Sequence, residues 1–204
     1  MLVHEVRSPV AALSAVAEAA SEVQDVNARR ELVRLALDAC VAIERIVGDI
    51  ALASVRAVPL DVGRLVRDVV AAHAASGTDV VASLAPELPL VEADPVRLRQ
   101  ALDNLVTNAQ VHGRGPITVR AALVEASVAL SVADEGEGIP PGEAERIFES
   151  GVRLDERRPG SGFGLALTRA IVEAHGGSIR VEPPSGRGAT FTMTLPAAPS
   201  QPDT

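Results

Sequence analysis

Apolar residues in the first quarter of the chain recur at alternating intervals of three and four. Val3, Val6, Val10, Leu13, Ala17 and Ala20 form one such series, and Leu32, Ala36, Ala39, Ile43, Ile46, Ile50 and Ala53 form another. A 3.6-residue period turns each series into a single seam along a helix. The stretch Gln24-Asp25-Val26-Asn27 interrupts the pattern and reads as a turn, so the segment predicts a helical hairpin. Two seams on two helices bury each other poorly, and pairing with a second copy into a four-helix bundle is the natural solution. The alternative is that the hairpin packs on the C-terminal half of its own chain.

Near Val55 to Pro59 the seam ends, and beyond it helical and strand patterns alternate. Asp61 to Ala75 predicts a helix with Asp61 as N-cap. Val80 to Leu84 predicts a strand. Asp94-Pro95 pairs an N-cap with proline at the first helical position and opens a helix running to about Val111. Strands follow at Ile117 to Leu123 and Ser127 to Ala133, then a glycine-rich region over 134–164. A helix over 164–174 and two closing strands, 178–182 and 189–195, complete the pattern. The organisation read from this is α+β: a helical hairpin over 1–55, an α/β domain over 58–196 and a flexible tail over 197–204.

Composition narrows the chemistry. Apolar residues make up 47% of the 204, yet only three are Phe and none is Trp or Tyr, so the core is aliphatic and no aromatic platform awaits a base. All basic residues are Arg, the net charge is −8, and no Lys is present. A nucleic-acid binder needs a basic surface, so the charge argues against one, and a P-loop needs its Lys, so that reading is removed. Cys40 is the only cysteine, which rules out a disulfide framework and fits a reducing, cytoplasmic setting. No apolar run reaches the roughly 18 residues that a bilayer span requires, so no membrane contact is expected of this stretch. The chain opens three residues before its most informative motif, as expected if upstream sequence, with any membrane anchor it held, has been cut away.

Four motifs lie in order along the second part. Asn104 and Asn108, four residues apart, share one helix face, with Leu98, Leu102 and Leu105 on the buried side; amides there can offer oxygen to a hard cation and N–H to phosphate. Asp134-Glu-Gly136-Glu-Gly138 follows a strand, where a carboxylate can accept from an exocyclic amine and glycines let a ligand approach. Gly160-Ser-Gly162-Phe-Gly164-Leu165 runs into a helix N-terminus, a ready anion site. Gly186-Arg-Gly188-Ala-Thr190-Phe191 closes the set. Each motif alone is common, but the ordered series resembles the nucleotide-binding domain of the GHKL ATPases. His4-Glu5-Val6-Arg7-Ser8-Pro9 resembles the H-box of sensor histidine kinases and stands one hundred residues before Asn104, a separation typical of that family.

The resemblance implies a two-component sensor histidine kinase core: a dimeric hairpin carrying a phosphoacceptor, joined to a GHKL α/β sandwich that binds ATP and Mg²⁺. His4 is then the phosphoacceptor, with Val3 and Val6 taking the core positions beside it, and Glu5 the residue that takes or relays its proton. Asp134 reads the adenine amino group, with Gly136 and Gly138 making room for the ring. Asn108 is the Mg²⁺ ligand and Asn104 supports the same face. Gly162 and Gly164 hold the phosphates, Thr190 belongs to the same pocket, and Arg153, Arg157 and Arg158 offset phosphate charge. An amide at position 104, where hydrolysing relatives carry a water-activating glutamate, favours transfer to a protein nucleophile. The implied partners are a second copy of the chain and the receiver domain of a response regulator, whose aspartate takes the phosphoryl group; Ser8 is placed to assist dephosphorylation of that partner. Two departures stand out: Val111 replaces a basic residue usual three positions after the second asparagine, and Gly151-Val152 replaces an expected aromatic pair, which weakens the anchor of the adjoining loop. Two other readings share the ATP motifs, a GHKL serine kinase of the anti-sigma type and a nucleotide-binding scaffold without chemistry.

Overall fold

The computed structural model describes residues 10–16, 18, 19, 25, 27–29, 31–36, 39, 55–155, 162–182 and 188–198. The chain divides into two compact units, Met1–Ala53 and Ser54–Thr204.

In the first unit the described residues other than Asp25 are helical. Asp25 caps the second run: its carboxylate accepts from the N–H groups of Ala28 at 3.0 Å and Asn27 at 3.4 Å, and its carbonyl accepts from Arg29. Asn27, expected in the turn, already belongs to the helix. Ala39 of the second seam is buried, Leu13, Leu32 and Ala36 are half-buried, and Val10, Val33 and Leu35 remain exposed.

In the second unit, β1 (Val58–Leu60) leads to α1 (Val62–Ala75), then β2 (Val80–Leu84), β3 (Val91–Ala93) and α2 (Pro95–His112). The hairpin of β4 (Ile117–Val124) and β5 (Ser127–Ala133) follows, then two short 3₁₀ turns, Pro141–Glu143 and Arg146–Phe148, then α3 (Gly164–Ala174), β6 (Ser178–Val181) and β7 (Thr190–Pro196). Five strands form one sheet in the order β2-β4-β5-β7-β6, with only the β2–β4 pair parallel.

Alternation along the strands explains the layering. Val119, Ala121, Val128, Leu130, Val132, Phe191, Met193 and Leu195 point to one side and are buried, while Thr118, Arg120, Ser131 and Thr194 stay accessible on the other. The helices cover the buried side. In α1 the covering residues are Val62, Leu65, Val66 and Val69; in α2 they are Leu98, Ala101, Leu102, Leu105, Val106 and Ala109, all at helical spacing. The second unit is an α/β sandwich with its helices on one face of the sheet.

Two strands were not foreseen. β1 and β3 pair antiparallel as a separate two-stranded sheet, Val58 opposite Ala93 and Leu60 opposite Val91. Ala197 and Ala198, expected to open the flexible tail, are instead paired: Ala197 bridges to Val91 and the N–H of Ala198 donates to the Leu90 carbonyl at 2.7 Å.

Asp94 ties the start of this unit to the head of α2. One carboxylate oxygen accepts from Val96 and Arg97, the usual duty of an N-cap, and the other accepts the backbone N–H of Arg56 at 3.0 Å. Its own N–H donates to Nε2 of His175 at 2.9 Å, so the ring proton lies on Nδ1, which donates to the carbonyl of Ile171 at 2.7 Å. Arg56 enters this bond through its main-chain N–H and not its side chain, which gives a clean test. Arg56→Ala is expected to change unfolding free energy by less than about 0.5 kcal/mol. Arg56→Pro, which deletes the donor, is expected to cost about 1 to 3 kcal/mol in urea unfolding.

Candidate functional site

α2 presents its two asparagines as its buried stripe requires. Leu98, Leu102 and Leu105 are fully buried, which leaves Asn104 and Asn108 half-buried on the adjoining face. The amide nitrogen of Asn104 donates to the carbonyl of Gly164 at 3.3 Å, and the hydroxyl of Thr168 donates to the same oxygen at 2.8 Å. A carbonyl only accepts, so the Asn104 nitrogen must be the end facing α3, and its amide oxygen is turned elsewhere. The side chain of Asn108, one turn further on, has no hydrogen-bond partner among the described residues.

The end of β5 is a knot of close backbones. Asp134 takes a hydrogen bond from Gly136 N–H on Oδ1 at 2.7 Å, with Ala189 N–H at 3.4 Å on the same oxygen, leaving Oδ2 without a protein donor among the described residues. Its N–H donates to the Ala189 carbonyl at 3.0 Å, Glu135 donates to Arg114, and Gly188 donates to Gly136, each at 2.8 Å. Glycine is obligatory at three places here. A Cβ on Gly113 would lie 2.6 Å from Asp134 Cβ, one on Gly136 2.9 Å from Gly113 Cα, and one on Gly188 1.7 Å from the Asp134 carbonyl oxygen. Gly136 is therefore required by the protein's own packing. Gly138, at φ +78°, rests against the carbonyl of Gly188. Thr190 pairs with Ala133 across β7 and β5, beside the same knot.

At the head of α3, Gly162 has φ +77° and Phe163 offers no side-chain cap, so among the described residues the first amides of the helix have no side-chain acceptor. Arg153 is half-buried. Arg157 and Arg158 lie outside the described residues, as do His4, Glu5 and Ser8. The structure thus brings Asn104, Gly162 and Gly164 together, and separately joins Asp134, Gly136, Gly138 and Thr190. Gly113, the C-cap of α2, links the two groups, since it follows Asn108 on the same helix and abuts Asp134. Sequence reading missed it, although a glycine just past a helix end is a recognisable signal. No group of three or more His, Cys, Asp or Glu fit to hold a metal occurs among the described residues. A cation here would have to take amide oxygens, with remaining ligands from a phosphate or water.

Residues 93–199 match the family of histidine kinase-, DNA gyrase B- and HSP90-like ATPases. The chain belongs to that family. Within it, the proteins it resembles along nearly its whole length are sensor histidine kinases. The adaptive-response sensory kinase SasA of Synechococcus sp. (strain JA-3-3Ab) is 31% identical over 96% of this chain and 58% of its own. Full-length ShkA, solved in complex with AMPPNP, superposes with a TM-score of 0.69 at 27% identity, covering 96% of this chain and 44% of its own. The mycobacterial sensor histidine kinase MprB gives 0.62 at 28% identity over 70% of this chain and 99% of its own. The chain spans little more than half the length of SasA. Among the described residues, no helix is long and apolar enough to cross a membrane.

Proposed function

We propose that the chain is the core of a two-component sensor histidine kinase that phosphorylates itself on His4 from Mg²⁺-ATP and passes the phosphoryl group to an aspartate of a response regulator. The observation that carries this reading is the arrangement of Asp134: one carboxylate oxygen is held by the Gly136 and Ala189 amides and the other is open. An open carboxylate acceptor at a strand end suits the amino group of adenine. The first amides of α3, which have no side-chain acceptor among the described residues, suit the phosphates together with Gly162 and Gly164. Asn108 is the cation ligand in this reading, its side chain having no competing protein partner among the described residues. Asn104 supports it, its amide fixed by Gly164. Bound Mg²⁺ supplies charge neutralisation on the phosphates, which an acidic chain of net charge −8 needs. Arg153, Arg157 and Arg158 add to this from the loop side, and Thr190 borders the pocket.

In the chemical step a neutral ring nitrogen of His4 forms a bond to the γ-phosphorus while the bond from that phosphorus to the bridging oxygen breaks, releasing ADP. The proton lost by the imidazole passes to Glu5. A free imidazole, with a pKa of about 6.5, is mostly neutral near pH 7, so orientation matters more than activation. Ser8 keeps a hydroxyl near the acceptor for removal of phosphate from the partner. Dimerisation through the hairpin over 1–55 is supported by its apolar seams, of which Val10 is 46% exposed in the single chain.

Incubation with γ-labelled ATP and Mg²⁺ tests the reading. Label on the wild type that is acid-labile, alkali-stable and lost in His4→Gln is the expected result. ATP binding without label would support the scaffold, and label only on an added partner's serine would support the serine kinase.

A further inference from the structure

The chain owns three aromatic residues, all Phe, and the fold gathers them about one segment. Phe148 stands edge-on to Phe191 of β7, with ring centroids 6.2 Å apart and planes at 87°, and both are buried. Phe163, also buried, precedes α3, and its ring tip lies 3.6 Å from where a Cβ on Gly151 would be. Gly151 donates its N–H to the carbonyl of Gly162 at 3.1 Å, and a Cβ on Gly162 would come within 2.9 Å of the Gly151 carbonyl carbon. Two glycines at φ +81° and +77° let the outgoing and returning backbones touch, and the Phe163 ring lies over the first of them.

On α3, Arg169 places its guanidinium carbon 5.5 Å from the centroid of Phe148. Its nitrogens reach Glu173 at 3.1 Å on the same helix and Glu145 at 3.5 Å, just before the turn that carries Phe148. The expected weakness at Gly151-Val152 is therefore met from the opposite side. The ring absent from the outgoing segment is supplied by the returning one, at Phe163. The residue after Phe163 is Gly164, whose carbonyl fixes the amide of Asn104.

We infer that Phe163 and Arg169 are positioning residues of the nucleotide site, holding the Gly164 carbonyl and the turn at Phe148 in one fixed relation to Asn104. The inference rests on the nucleotide reading above. Phe163 works by burial: its ring sets where α3 begins, hence where Gly164 meets the Asn104 amide. Arg169 works by charge and stacking, pinning Phe148 against Phe191 from the helix side. Neither needs to touch a phosphate, so loss of either should loosen ATP while leaving the phosphoryl step intact once ATP is bound.

The test uses the full chain with Mg²⁺-ATP. Kd is measured by titration calorimetry, KM and kcat by autophosphorylation, and Tm by thermal unfolding. Phe163→Ala is expected to raise Kd and KM about tenfold with kcat within about twofold, and Phe163→Leu to recover most of the loss. Arg169→Met is expected to raise Kd about threefold to fivefold, and Arg169→Lys, which keeps a cation over the ring, to restore it. Should Phe163→Ala fail to fold, the Leu and Met variants carry the test. Variants whose Tm falls while Kd and KM stay at the wild-type values would make both residues ordinary packing and overturn the inference. A Kd for Arg169→Lys no better than for Arg169→Met would overturn the part assigned to Arg169. A wild-type chain that does not bind Mg²⁺-ATP would overturn the nucleotide reading and this inference together, an outcome distinct from normal wild-type binding with unaffected variants.

Discussion

Gly188→Ala is expected to abolish measurable ATP binding and to destabilise the second unit by about 3 kcal/mol or more. The added methyl carbon would stand 1.7 Å from the carbonyl oxygen of Asp134 and 2.6 Å from its carbonyl carbon, so one of two backbones must move. Neither can move cheaply. The Gly188 N–H is bonded to Gly136, and the Asp134 N–H to Ala189. At φ +89° the residue also adopts a conformation that costs an L-residue about 1 kcal/mol before any clash. The displaced group is the one that carries the open carboxylate oxygen, so affinity should fall further than stability. Calorimetric titration with Mg²⁺-ATP alongside urea unfolding checks both. A Gly188→Ala chain that binds ATP as the wild type does would show that the knot is not what sets Asp134.

The second large effect concerns Asp94→Ala. Three backbone N–H groups, those of Arg56, Val96 and Arg97, lose their acceptor at a residue only 8% exposed. A lost N-cap costs about 1 kcal/mol and an orphaned buried donor about 1 to 3, so a total of about 2 to 4 kcal/mol is expected. The effect depends on pH. The N–H of Arg56 foremost, then those of Arg97 and Val96 with the nearby Arg97 charge, hold the Asp94 carboxyl below its ordinary range against the opposing effect of burial. A folded-state value below the unfolded one means the stabilisation is complete above the unfolded pKa, about 3.9, and is lost as pH falls through the folded value. The gap between wild type and Asp94→Ala should therefore be constant from pH 7 to about pH 5 and narrow below about pH 4. Urea unfolding at pH 7, 5 and 3.5 measures it, and a gap that widened on acidification would contradict the assignment.

Much of the second unit could be read from local signals because its elements are long enough to repeat them. β2, β5 and α3 fall at the predicted residues, and α2 opens at the Asp94-Pro95 pair and runs one residue past Val111. β1 and β3 escaped because three residues cannot display a period, and their pairing joins positions more than thirty apart in the chain. Of the candidate site, the motif glycines and Asn104, Asn108 and Asp134 were visible as types at fixed spacing. The contacts that arrange them were not. That Gly136 yields room to Gly113, or that His175 takes the N–H of Asp94, depends on which backbones the tertiary fold brings together, and no spacing rule contains that. The loop anchor shows the same limit: Gly151 looked like a deficit until Phe163, twelve residues later, was seen lying over it.

The single parallel pair in the sheet bears on the order of folding. β4 and β5 can zip from a two-residue connection, whereas Val80 must find Ile117 across an intervening strand and the whole of α2. Closing that long excursion costs chain entropy before any contact repays it, so β2 should join late, after the hairpin and the asparagine helix have formed. A nascent second unit would then have its sheet core in place while its first edge strand still hung free, and substitutions in β2 should speed unfolding more than they slow refolding.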